Sequence, residues 1–213
     1  MIAYACCVGS RATFARCAAP GLRRAMEPGS VLAEVTTEHS IHEAYNEVLA
    51  HFAGADDLEA LVLLHEDTEL LDPRFAEHVR RVLADPGVAI AGVVGARGVH
   101  RLEWWAGPVV GRLDETRGTV VGVAPAGDVD ALDGLLLVLS PWAVRELRCD
   151  TATFTGFHAY DVDLCLQARA AGRRVVAHPF AVFHHATTGK DRLDEGFMAA
   201  DAALRRKWGL APA

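Results

Sequence analysis

A basic surface is the first thing this sequence lacks. Lysine occurs at only two positions, Lys190 and Lys207, and the 21 cationic side chains are outnumbered by 28 acids, which leaves a formal net charge of -7. Nucleic-acid binding draws its affinity from cationic groups that displace counterions from phosphates, so this balance argues against a nucleic-acid partner. Any anionic ligand has to be met locally. The replacement of lysine by arginine, with abundant alanine, follows the coding bias of a GC-rich genome and carries no functional information. Cysteine is sparse and unpatterned: Cys6, Cys7, Cys17, Cys149 and Cys165 are odd in number and have no CxxC spacing, so they suit core positions in a reducing, cytoplasmic setting and suggest neither a disulfide nor a zinc ribbon. No apolar run approaches the roughly 20 residues of a membrane span. The apolar start, Ile2 to Val8, has no basic segment before it and reads as a strand, not a signal peptide. Also missing are a GxGxxG fingerprint, internal repeats and low-complexity linkers.

What remains is the profile of an ordinary folded globule: 213 residues, 51% hydrophobic and 23% charged. The run Leu61-Val62-Leu63-Leu64 has no polar break and is followed at once by His65-Glu66-Asp67. So short an aliphatic run ending in titratable groups reads as a buried strand whose C-terminal end opens into a site, which is where ligands collect in open α/β sheets. Alternate side chains of an extended chain share a face, so His65 and Asp67 are expected to point one way and Glu66 the other.

Around this stretch, short apolar runs alternate with amphipathic ones. Ile2 to Val8 leads to Gly9-Ser10-Arg11, a turn where a hydroxyl and a guanidinium become available to a nucleotide. Val31 to Val35 reads as a second strand. Ser40 and Glu43 form a capping box for a helix whose stripe is Ile41, Ala44, Tyr45, Val48, Leu49 and Phe52. Asn46 borders that stripe, either bonded to neighbouring backbone or in contact with a ligand. Asp72-Pro73 reads as a helix start, Val88 to Val94 as one strand, and Arg97 to Asp130 as short β segments broken by glycines around Trp104-Trp105, of which at least one is expected to cover the core. Leu135 to Leu139 is a second strongly buried strand, and Ser140-Pro141 starts a short helix. A further helix begins near Asp161 to Asp163, with Asp163 in a structural role, and stops at Gly172. Short strands follow at Val175 to Ala177 and Val182-Phe183, with His184-His185 at the end of the latter. A last helix, Leu193 to Trp208, places Leu193, Phe197, Leu204 and Trp208 on one stripe and Arg205, Arg206 and Lys207 on a solvated face. The alternation predicts an α/β chain: one three-layer α/β/α domain with a mostly parallel central sheet.

Several of these pieces together resemble the glycosyltransferase GT-A fold, in the family-2-like group that includes a streptomycin-biosynthesis-associated branch. The residues are Ala44-Tyr45-Asn46, Leu64-His65-Glu66-Asp67, Asp133-Gly134, Gly156-Phe157-His158-Ala159-Tyr160-Asp161-Val162-Asp163-Leu164, Gly172 and His184-His185. The resemblance implies a single domain over 1–213, with a nucleotide-binding half over about 1–95, an acceptor-side half over about 96–190 and a C-terminal helix over about 191–209. It also implies that His65-Glu66-Asp67 stands at the Asp-x-Asp motif, where Asp67 binds a divalent cation, Mn2+ or Mg2+, between the phosphates of a nucleotide diphosphate sugar. His65 departs from the common acid in a manner known in the related group. Asp161 falls where inverting members carry the general base, with Tyr160 in place of a preceding glutamate, and His184 matches a histidine that completes the metal site in some relatives.

The expected site is therefore Asp161 as base, Asp67, His184 and His65 at the metal, with His185 as substitute, and Ser10, Arg11, Asn46, His65 and Glu66 toward the donor. Arg97, Arg101, Lys190 and Arg192 are candidates for a diphosphate clamp, each also readable as a solvated charge; His158 and His178 are read as surface or core residues. Three functions fit: an inverting, metal-dependent glycosyltransferase with an unknown acceptor hydroxyl; a non-catalytic sugar-nucleotide binding module of the same fold; and a zinc hydrolase built on His65, Asp67, His184 and His185 with Glu66 as base.

Overall fold

A computed structural model of the chain describes residues 1–36, 40–186 and 193–210. Lys190 and Arg192 lie outside them. The first half runs β1 (Ile2–Cys7), α1 (Arg11–Arg16), α2 (Ala18–Ala25), β2 (Val31–Val35), α3 (Ile41–Phe52), β3 (Ala60–His65), β4 (Thr68–Leu70), α4 (Phe75–Leu83), β5 (Val88–Gly92) and β6 (Val94–Ala96). A short 3-10 turn at Trp104–Ala106 leads to β7 (Val109–Glu115), β8 (Gly118–Val121), β9 (Gly127–Asp128), β10 (Ala131–Leu132) and β11 (Leu136–Leu139). The chain then forms α5 (Pro141–Glu146), α6 (Tyr160–Ala170), β12 (Arg174–Ala177), β13 (Val182–His184) and α7 (Glu195–Trp208).

The larger sheet has the order β2-β1-β3-β11-β5-β12-β9. β2, β1 and β3 pair in parallel, as do β5 and β12, but β11 lies antiparallel between β3 and β5, and β9 is antiparallel to β12. The sheet is thus mixed, not mostly parallel as expected. The run Leu136 to Leu139 is wholly buried, and an apolar run reports burial on both faces without reporting strand direction. A second sheet, β10-β6-β7-β13-β4 with β8 added to β7, is antiparallel except where β13 meets β7.

The single strand expected over Val88 to Val94 is divided at Val93 between the two sheets. A Cβ at Gly92 would stand 2.9 Å from the Leu136 carbonyl oxygen, so the close approach there requires glycine. Asp72 does not cap α4 as its sequence suggested. Its carboxylate accepts from Arg74 N at 2.8 Å in a turn before the helix, whose N-cap is Arg74. Leu193 likewise lies outside α7 and is exposed, because the helix starts only after Asp194, whose side chain accepts from Phe197 N.

Leu61, Val62, Leu63 and Leu64 are each 0% exposed. Burying each such side chain contributes roughly 1.5–3 kcal/mol, so β3 delivers His65 from a rigid strand end. The chain then crosses from the larger sheet to the smaller within Glu66-Asp67 and enters β4, where Thr68 pairs with His184. His185 N donates to the Asp67 carbonyl at 2.9 Å. That register sets the terminal histidines of β13 beside the acids that follow β3.

Candidate functional site

His65, Asp67 and His184 converge at this crossover, one potential ligand atom from each lying within 4.8 Å of the others. His184 directs Nε2 toward Asp67 Oδ1 at 3.4 Å, and its Nδ1 meets Glu115 Oε2 at 3.0 Å. Glu115 is the register partner of His184 across β7 and β13, and it also pairs with Arg117 at 2.9 Å. Burial disfavours the charged form of His184, but the hydrogen bond and charge of Asp67, with Asp133 and Glu115 behind, outweigh it and raise its pKa. Burial wins at His65, whose pKa is lowered despite the pull of Asp67 and Asp133. His65 Nε2 lies 2.7 Å from the Tyr160 hydroxyl, which in turn donates to the Gly134 carbonyl at 2.8 Å.

Two imidazoles and one carboxylate form a donor set that suits a divalent cation. Their surroundings support that fit: each imidazole has one ring nitrogen engaged by an outer partner, Tyr160 for His65 and Glu115 for His184. Second-shell hydrogen bonds of this kind orient histidine ligands at metal sites. Among the described residues this is the only group of His, Cys, Asp or Glu side chains so arranged.

Asp161 reaches the same residue, Gly134, its Oδ2 accepting from Gly134 N at 2.9 Å. A Cβ at Gly134 would lie 2.2 Å from the Tyr160 hydroxyl oxygen and 3.0 Å from Asp161 Cβ, so only glycine admits both side chains. Burial, aided by the like charge of Asp133, pushes the Asp161 carboxyl up to about 7, against backbone hydrogen bonds that favour its ionised form. Asp161 sits in the first turn of α6, entered through Ala159 at a left-handed φ of 79°. The loop before it exposes Phe157, which is 52% accessible with its ring 5.4 Å from that of His65.

The chain is described as glycosyltransferase-like by a family model that matches residues 3–195. It belongs to that family. The streptomycin biosynthesis protein StrF of Streptomyces griseus is 32% identical over 193 residues, 87% of this chain and 66% of its own length. The ATP synthase subunits region ORF 6 of Fuscovulum blasticum is 30% identical over 160 residues, 70% of this chain and 59% of its own. The chain thus spans less than two thirds of the length of these curated relatives. The crystal structure of A197 from STIV shares the fold at a TM-score of 0.52 and 11% identity, over 91% of this chain and 98% of that one.

Within this glycosyltransferase-like chain the remaining expected residues divide. Glu66 and Asp67 form the turn between β3 and β4, so strand alternation does not extend to them; Asp67 joins His65 and His184, while Glu66 accepts from Ser10 N at 2.7 Å. Glu66 thereby closes the first loop onto the strand end. Ser10 Oγ caps α1 by accepting from Thr13 N, and Arg11 pairs with Glu34. Asn46 exchanges two bonds of 2.8 Å with the backbone of Cys149, so the role the structure gives it is to tie α3 to the segment after α5. His185 turns its Nε2 to Glu69 at 3.1 Å, outside the convergent group, and it is His184 that joins Asp67. With Glu66 on Ser10 and His185 on Glu69, the zinc hydrolase constellation is not assembled.

Arg97 donates to the Asp128 carbonyl and Arg101 pairs with Glu103. His158 faces Asp194, and His178 packs against His78 and Phe180. Trp104 is buried, and Trp105 packs on Phe197 as a cover over the core. Sequence reasoning missed Glu115 altogether. It also left Asp133 without a role, although an acid and a glycine at the entrance of a buried strand were the available signal.

Proposed function

We propose that the chain is a metal-dependent, inverting glycosyltransferase of GT-A architecture, acting in the cytoplasm to move a sugar from a nucleotide diphosphate donor to an acceptor hydroxyl. The observation that carries this reading is the convergence of His65, Asp67 and His184 at the end of β3, each histidine oriented by an outer partner. These three side chains would hold the cation, and the imidazoles favour Mn2+ over Mg2+. A bound divalent cation supplies charge stabilisation for the departing diphosphate.

Asp161 takes the proton of the attacking hydroxyl. A carboxyl with a pKa of about 7 is matched to that task, because a base works best when its pKa lies near the operating pH. The acceptor oxygen then attacks the anomeric carbon from the face opposite the diphosphate, whose bond to that carbon breaks, giving inversion in one displacement. Phe157, exposed beside His65, offers an apolar ring against which a sugar can lie. Glu66 and Ser10 shape the donor side by closing the first loop. The free cysteines fit the reducing compartment proposed.

The test is a thermal-shift series with nucleoside diphosphates and their sugars, with and without Mn2+, since a ligand that binds only the native state raises its apparent stability. Stabilisation should require the cation and disappear in Asp67→Ala. Equal stabilisation by the nucleotide in the presence of a chelator would remove the metal from the reading. Donor binding without turnover across a broad acceptor panel would replace the transferase with a binding module.

A further inference from the structure

The Tyr160 hydroxyl carries a single proton and, among the described residues, makes two close hydrogen bonds. The Gly134 carbonyl oxygen, 2.8 Å away, can only accept, so it takes that proton. His65 Nε2, 2.7 Å from the same hydroxyl oxygen, must therefore bring a proton of its own. We propose, on the basis of the metal site described above, that Tyr160 is a positioning residue that holds His65 as its Nε2–H tautomer, so that Nδ1 carries the lone pair His65 offers to a divalent cation beside Asp67 and His184.

The supports of this chain of bonds are fixed by packing. Tyr160 is 2% exposed, and its ring stands edge-on to Tyr45 with centroids 5.2 Å apart. Gly134 lets the hydroxyl approach its backbone, for a Cβ there would sit 2.2 Å from the Tyr160 oxygen. Phe157 packs against His65 with a centroid distance of 5.4 Å. At His184 Nδ1 faces Glu115 and Nε2 faces Asp67, so a cation that took the place of the Nε2 proton would leave the complementary Nδ1–H form. A cation held there would thus be met by different ring nitrogens of the two histidines, each set by a partner outside the donor set.

The tautomer is read directly by imidazole nitrogen NMR of the full chain at neutral pH, without metal. Wild-type His65 should show the Nε2–H form, and Tyr160→Phe should shift it toward a mixture of tautomers. By titration calorimetry the same variant should bind Mn2+ about 10- to 100-fold more weakly. A wild-type spectrum with the proton on Nδ1 overturns the assignment, and it does so even if the variant does not fold. Unchanged tautomer and unchanged Mn2+ affinity in a folded Tyr160→Phe overturn it as well. Absence of Mn2+ binding by the wild type would instead strike the metal reading and with it the ligand role of Nδ1, leaving the NMR comparison to judge the Tyr160 relay by itself.

Discussion

Glu115 holds His184 by its Nδ1 edge at 3.0 Å from a position 69 residues away in the sequence, while Nε2 of the same ring faces Asp67 Oδ1 at 3.4 Å. The carboxylate orients the imidazole and raises its basicity, as outer carboxylates do for histidine ligands. Glu115→Ala should therefore weaken Mn2+ binding by about 10- to 100-fold, measured by titration calorimetry. Glu115→Gln retains an acceptor for Nδ1–H and should lose less. Equal affinities in wild type and Glu115→Ala would mean that Glu115 does not position a metal ligand.

In the proposed role Asp161 accepts a proton only when ionised, and burial with the Asp133 charge pushes its pKa up to about 7. Transfer should thus be slow in acid, rise with pH through a limb near pH 7 and level off above it. Removing the like charge in Asp133→Asn lowers the Asp161 pKa and should move the limb to lower pH. Asp161→Asn should slow transfer by about 100- to 10,000-fold while donor binding persists. A limb that stays in place in Asp133→Asn, measured as kcat/KM against pH, would assign it to another group.

The position of His65, Glu66 and Asp67 at a strand end was legible because a four-residue aliphatic run bounded by polar residues suits a buried strand; the separation of Glu66 from the other two arises in the turn after β3, not from strand alternation. Glu115 was not legible. It meets His184 through the parallel pairing of β7 with β13, and a glycine-broken segment announces neither its partner strand nor its register. The direction of β11 was hidden for a related reason: Leu136 to Leu139 are buried on both faces, so they would be equally apolar in either orientation. The structural role of Asp163 follows from its place in the first turn of a helix. Its partner does not, since the cation that meets it lies near the far end of the chain.

Asn46 distinguishes a framework contact from a ligand contact. Its amide both donates to and accepts from the Cys149 backbone at 2.8 Å. Asn46→Ala leaves that peptide unpaired, at a cost of about 1–3 kcal/mol for each buried group, and should lower the urea midpoint. Donor affinity of the folded variant should stay within about threefold of wild type, because both bonds of the amide run to the protein's own backbone. A large loss of donor affinity at unchanged stability would restore Asn46 to the donor side.

Lys207 fastens the last helix to the domain by an ion pair. Asp163 is 1% exposed and accepts from Lys207 Nζ, from Trp208 Nε1 at 2.8 Å and from Gln167 Nε2 at 2.7 Å. Lys207 also pairs with Asp150 at 2.9 Å, so it does not belong to the solvated face expected for it. Lys207→Met strands a buried carboxylate. The destabilisation should lie toward the lower end of about 3–5 kcal/mol, since Trp208 and Gln167 still donate to Asp163. Adding Asp163→Asn removes the unpaired charge and should recover part of that loss, which a double-mutant cycle in urea measures. If Lys207→Met alone leaves the midpoint unchanged, the pair is not what holds α7, and the stability of that helix rests on Phe197 and Leu204, both buried in the core.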